Sequence, residues 1–212
     1  MEKVNSVILV DKSDEKLGEL FSDLKNATDF ELRKFAKDNH IVCQTMTLGS
    51  ACDKYSIVDS LSKVNERPFL FFVYAHGRED AIVVEGECVI SSNENYYVLS
   101  NAVVYTLSCY NGGELADMLL DHKLRLFVGY RGKANCPYGM DDRTLSIGLS
   151  FVIAFLEGKT ASESFDVLYD SYTKSVRDTA LDPFQRAAYQ ESRDTLVMKG
   201  DGNIQIKDLL IA

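Results

Sequence analysis

The stretch Phe69-Leu-Phe-Phe-Val-Tyr-Ala75 is apolar at every position, with Pro68 before it and His76-Gly77 after it. A strand with one solvated face alternates apolar and polar residues. An unbroken apolar run of this length reads instead as a strand buried on both faces, which is the habit of parallel sheets covered by helices. A second run, Val103-Val-Tyr-Thr-Leu107, has the same character and leads into Ser108-Cys109.

The order of segments around these runs agrees with an α/β fold having a mostly parallel central sheet flanked by helices. Ser6-Val-Ile-Leu-Val10 reads as a buried strand. Leu17, Leu20, Phe21 and Leu24 recur at helical spacing, and residues 29–37 continue with Phe30, Leu32, Phe35 and Ala36. Residues 41–46 form a second expected strand, and residues 51–64 a helix with Ile57, Val58 and Leu61 on one face. Between the two long runs, residues 81–84, 87–90 and 96–99 read as three short strands of a small antiparallel meander. Gly112-Gly113 precedes a helix at 114–121, and Leu126-Phe-Val-Gly-Tyr130 is another strand, running into a loop at 131–140.

The last third is mainly helical. Residues 145–156 are apolar nearly all round, as in a buried helix. Thr160-Ala-Ser-Glu163 gives the start signal for the next helix. A turn at Gly200-Asp-Gly202 is expected to lead into a final strand, Ile204-Gln-Ile206. With 212 residues and no internal repeat or linker, residues 1–212 read as a single domain.

Charge and cysteine content narrow the function classes. A net charge of −9 with scattered Lys and Arg lacks the basic stripe of a nucleic-acid-binding surface. No apolar run approaches the ~18 residues of a membrane span. The start of the chain lacks the basic and long apolar regions of a signal peptide, so a cytoplasmic location is expected. Five cysteines without a Cys-x-x-Cys pair read as free thiols. His40-x-x-Cys43 has no second half, so no metal is expected, and no cofactor motif stands out.

Two apolar strands thus end in reactive side chains, His76 and Cys109. If they are adjacent and parallel, both side chains emerge at the carboxyl edge of one sheet, where open α/β sheets place their ligands. A thiol attacks a carbonyl as thiolate, and a histidine base supplies that form and later protonates the leaving amine. The backbone N–H groups of Gly77 and Cys109 are candidate oxyanion donors. Arg131, closing the strand after Cys109, is placed either to bind substrate or to pair with an acidic neighbour. His40 reads as a loop residue, and His122 as a residue at a helix C-terminus.

An apolar run ending in His-Gly, followed by one ending in a small residue plus Cys, resembles the caspase-like cysteine peptidase clan, most similarly the bacterial CHAT-domain peptidases. Leu107-Ser108-Cys109-Tyr110-Asn111-Gly112 is similar to their nucleophile segment, and Leu126-Phe-Val-Gly-Tyr130 to the strand that follows. Residues 151–165 are similar to the late helix, glycine break and next helix. The resemblance implies a caspase-hemoglobinase α/β fold and endopeptidase activity on a protein substrate, with His76 and Cys109 as catalytic dyad. It also implies control by a regulatory protein partner, in bacterial defence or regulated cell death. Leu107 and Asn111 depart from the Gln-Ala-Cys-x-Gly pattern of caspases, so preference for aspartate is not implied. Two other readings stay open: a catalytically silent caspase-like interaction domain, and a doubly wound domain binding an anion at the Gly112-Gly113 helix start.

Overall fold

The computed structural model describes residues 2–137 and 139–211. The first half alternates strands with helices: β1 (Lys3–Val10), α1 (Gly18–Asp38), β2 (Val42–Gly49), α2 (Lys54–Ser62) and β3 (Phe69–Tyr74). Three short strands follow, β4 (His76–Gly77), β5 (Ala81–Val84) and β6 (Glu87–Ser91). The main sheet then resumes with β7 (Ala102–Thr106), α3 (Glu114–Asp121) and β8 (Leu126–Tyr130). Helices α4 (Asp141–Leu156), α5 (Ala161–Arg177) and α6 (Pro183–Thr195) precede the last strand, β9 (Leu196–Gly200).

The main sheet has the order β2-β1-β3-β7-β8-β9. Its first five strands are parallel, and β9 closes the edge antiparallel to β8. Every residue of β3 is buried, as its unbroken apolar sequence requires. Leu70, Phe72 and Tyr74 pack with Phe21, Phe151 and Leu168 of α1, α4 and α5. Phe69, Phe71 and Val73 face the other way, onto a core that includes Ile57, Leu115 and Ile82. Burying each such side chain contributes about 1.5–3 kcal/mol relative to exposure, which is why neither face of this strand tolerates polar residues.

Helix starts follow their side chains. Thr160 accepts from Glu163 N–H while the Glu163 carboxylate accepts from Thr160 N–H, the reciprocal cap expected for α5. Asp182 and Gln185 make the same arrangement around Pro183 for α6. Asp53 accepts from Ser56 N–H at the start of α2. No helix among the described residues is long and apolar enough to cross a membrane.

Two expectations are corrected. Residues 96–99 form a 3-10 helix, and the third strand of the small sheet is His76–Gly77. The cause is Asn95: its side chain accepts from Ser91 N–H at 2.9 Å and donates to Val89 O at 2.7 Å, turning the chain back on β6. Val98 and Leu99 are consecutive buried residues, which a strand with one solvated face would not produce. The final strand is Leu196–Gly200, not 204–206. Ile204 and Ile206 are buried beneath α5, where Ile204 O accepts from Ala161 N–H at 2.8 Å. The helical spacing of 17–24 that continues through 29–37 forms one unbroken helix, α1, as read from the sequence.

Candidate active site

Strands β3 and β7 pair in parallel from Phe69 opposite Ala102 to Val73 opposite Thr106. The pairing continues past the strand end, where Leu107 N–H donates to Val73 O at 3.0 Å. Ser108 is fully buried and donates its hydroxyl to Ala75 O at 2.8 Å. The residue before Cys109 is thereby fastened to the residue before His76. Imidazole and thiol come to the same sheet edge and line one cavity of about 30 Å³.

His76 does not end β3. The chain bends at Ala75, and His76 begins β4 alongside β5. Its ring meets the Phe21 ring edge-on at 5.9 Å between centroids. Its Nε2 lies 2.9 Å from Asp14 Oδ2. Asp14 sits in the turn between β1 and α1, and its Oδ1 accepts from Lys16 N–H at 2.8 Å and from Leu17 N–H at 2.6 Å. One carboxylate therefore shapes the start of α1 and holds the imidazole. Burial pushes the Asp14 pKa up, but the Leu17 N–H, His76 and the Lys16 N–H outweigh it and hold the group below its ordinary value. An ionised carboxylate only accepts. Nε2 must then carry the proton in this bond, so that in the neutral ring Nδ1 holds the lone pair.

A stability prediction follows from that depressed pKa. Its contribution is fully present above about pH 4 and is lost as pH falls through the folded-state value. Asp14→Asn keeps an oxygen for the two N–H groups but removes the charge. The Tm advantage of wild type over this variant is expected at pH 7 and should shrink below about pH 4. An advantage equal at both ends of a pH 7 to pH 2.5 titration would assign no role to the charge.

The thiol of Cys109 accepts from Ala134 N–H at 3.4 Å, in the loop after β8. Among the described residues no hydrogen bond joins it to His76. Tyr110 follows with φ of +65°, a left-handed conformation that costs a non-glycine residue roughly 1–3 kcal/mol. The turn is held by Tyr110 N–H to Gly132 O and Gly112 N–H to Tyr130 O, both 2.8 Å. Asn111, fully buried, donates its amide to Arg78 O at 2.6 Å and Ala81 O at 2.7 Å. This ties the loop after Cys109 to the turn after β4.

The two candidate oxyanion donors lie on adjoining segments. Cys109 N–H has no partner among the described residues. Arg78 and Ala81 exchange both backbone bonds across the β4–β5 turn. The alternation of an antiparallel ladder then makes Gly77 and Ile82 a non-bonded pair, so Gly77 N–H points away from β5. A Cβ on Gly77 would come within 2.2 Å of Cys109 O, so the two candidate donors sit on touching segments.

Arg131 lies elsewhere. Its guanidinium is exposed and donates to Asp194 O at 3.5 Å, and it does not line the cavity shared by His76 and Cys109. Gly113 is the N-cap of α3, and Gly112 packs against Val197 and Tyr130. His122 closes α3 with Nδ1 2.8 Å from Met118 O, and His40 sits in the α1–β2 turn. All five cysteines are free, and no group of three metal-ligating side chains occurs among the described residues. Asp14 was not singled out by sequence reasoning, and Ser108 and Asn111 entered it only as part of the nucleophile segment, without the hydrogen bonds they make here.

A secreted C11 cysteine protease from Bacteroides thetaiotaomicron, solved in complex with an irreversible peptide inhibitor, has a similar structure, with a TM-score of 0.54 and 16% sequence identity. The match covers 82% of this chain and 60% of that one, so the chain spans about 60% of the length of the protein it resembles. At this identity the likeness shows the fold: a caspase-like α/β sandwich with a mainly parallel sheet. No family model matches the sequence, and no curated protein matches it significantly.

Proposed function

We propose that the chain is a cysteine endopeptidase of caspase-like fold, with Cys109 as nucleophile and His76 as general base and acid. The observation that carries this reading is the Ser108–Ala75 clamp, which brings thiol and imidazole to one cavity, beside a Cys109 N–H that has no partner among the described residues. The likeness in fold to a protease bound to a peptide inhibitor supports a peptide as substrate.

In this reading Nδ1 of His76 takes the Cys109 proton as sulfur bonds to the scissile carbonyl carbon. The oxygen gains the negative charge, met by the N–H groups of Cys109 and Gly77, each such donor being worth about 10²–10³ in rate. The C–N bond then breaks, the amine leaves with the proton from His76, and water hydrolyses the thioester. Asp14, half-buried, stabilises the imidazolium formed between these steps, the part a carboxylate plays beside a catalytic histidine.

The short segments around Cys109 favour a CHAT-like member of the clan, acting on a protein substrate in the cytoplasm. Control by a regulatory protein partner belongs to the same reading. The direct test is to incubate the chain with a denatured proteome digest and map new N-termini by mass spectrometry. New termini with wild type and none with Cys109→Ala are expected. Identical termini from both proteins would remove Cys109 from the chemistry.

A further inference from the structure

The cavity beneath His76 and Cys109 has a chemistry of its own. Its walls come from the first turn of α1 (Leu17, Leu20, Phe21), from Leu107 two residues before the thiol, and from Ala134 and Tyr172. The remaining lining groups, apart from His76 and Cys109 themselves, are uncharged. Burial pushes the Cys136 thiol and the Tyr172 phenol upward, so both are neutral near pH 7. Tyr172 is also engaged, its hydroxyl 2.7 Å from that of Tyr130. The acidic side chains nearby, Asp14, Glu15 and Asp141, line a separate and larger cavity of about 900 Å³ that shares Leu17, His76 and Cys136 with the small one. That larger space runs outward over the loop after β8, whereas the small cavity lies against the nucleophile.

The position of this cavity relates it to one part of a substrate. A carbonyl carbon held against Cys109 Sγ, with its oxygen toward the Cys109 N–H, carries its own residue's side chain into the nearest recess. That recess is bounded by Leu107 on the thiol's own strand end and by Ala134, whose N–H touches the sulfur. Resting on the peptidase reading above, we infer that this cavity is the primary specificity pocket and selects a small, uncharged side chain on the residue whose carbonyl is attacked.

Size and polarity both point this way. A volume of about 30 Å³ holds roughly two waters, which matches a side chain between alanine and valine. A guanidinium or carboxylate placed there would lose its water and, apart from His76, which is already engaged by Asp14, would find no charged group on the walls, an arrangement that rejects a charged side chain. The acidic groove outside does not reverse this, because none of its carboxylate residues lines the small cavity. Leu20 is the natural gate on size: it is buried on a rigid helix and its removal opens the recess without touching sulfur or imidazole.

The test is cleavage of matched peptides that differ only at this residue, carrying Ala, Val, Leu, Arg, Asp or Phe, with wild type, Leu20→Ala and Cys109→Ala. Wild type is expected to cleave the Ala and Val peptides at least about 100-fold faster in kcat/KM than the Arg, Asp or Phe peptides. Leu20→Ala is expected to gain the Leu peptide by about tenfold or more. Cys109-dependent cleavage led by Arg, Asp or Phe overturns the pocket assignment and leaves the peptidase reading intact. Absence of Cys109-dependent cleavage across the whole set and across the proteome digest overturns both. If Leu20→Ala shows no cooperative unfolding, Ala134→Val tests the same wall: loss of the Val peptide relative to Ala is expected, and an unchanged Val-to-Ala ratio overturns the assignment.

Discussion

His76→Ala should lower kcat/KM for any Cys109-dependent peptide by about 10²–10⁴-fold, the usual worth of a positioned general base and acid. The same variant should slow alkylation of Cys109 by a small neutral reagent, because that reaction needs the thiolate but no substrate pocket. Asp14→Asn acts through His76 and is expected to cost less. The double variant His76→Ala/Asp14→Asn should be no slower than His76→Ala alone, since Asp14 has nothing left to orient once the ring is gone. Rates of the four proteins, read by peptide hydrolysis and by mass-spectrometric alkylation of Cys109, complete the cycle. Multiplicative losses would mean that Asp14 acts independently of His76, and an alkylation rate unchanged in His76→Ala would deny the imidazole its role as base.

The parts of this architecture that were legible in the sequence are those where burial acts on both faces at once. Phe69 to Tyr74 had no other reading than a covered strand, and Val103 to Leu107 repeated it, so the adjacency of His76 and Cys109 at one sheet edge could be expected before any coordinates. The cap at Thr160 was equally local: a hydroxyl and a carboxylate three residues apart make their bonds without help from the rest of the chain. The equivalent signal at Asp182-Pro183-x-Gln185 carries the same information for α6.

What the sequence concealed depends on contacts between distant segments. Asp14 meets His76 across 62 positions, and nothing about Asp11-Lys-Ser-Asp14 distinguishes a histidine partner from an ordinary turn aspartate. Ser108 reads as the small residue before a cysteine, and only the β3–β7 register shows that its hydroxyl reaches Ala75 O. Strand β9 has one buried residue, Leu196, and owes its conformation to the β8 edge it covers rather than to its own pattern. Residues 96–99 erred in the opposite sense: the apolar tetrad is real, but the Asn95 side chain bends its start and the tetrad coils beneath α2 and α3 instead of extending.

Gly77→Ala is expected to have the second-largest effect, for a reason of space. Its Cβ would lie 2.2 Å from Cys109 O and 2.7 Å from Asn111 Oδ1. The first of these atoms belongs to the backbone of the nucleophile segment, and the second to a side chain held by two carbonyls, so neither can swing away cheaply. Relief requires β4 and the Cys109 loop to separate by about an ångström, a displacement of the size that costs roughly 100-fold in rate when it falls between reacting groups. Overpacking of this kind also destabilises by about 1–3 kcal/mol. Asn111→Ala frees space on one side but leaves Arg78 O and Ala81 O short of a donor, so it should not restore the Gly77→Ala protein. The measurement is Tm alongside kcat/KM for wild type, Gly77→Ala and Gly77→Ala/Asn111→Ala. Wild-type stability and rate in Gly77→Ala would mean that β4 and the Cys109 loop are not packed against each other, and the two strand ends would then lose the contact that keeps base and nucleophile in register.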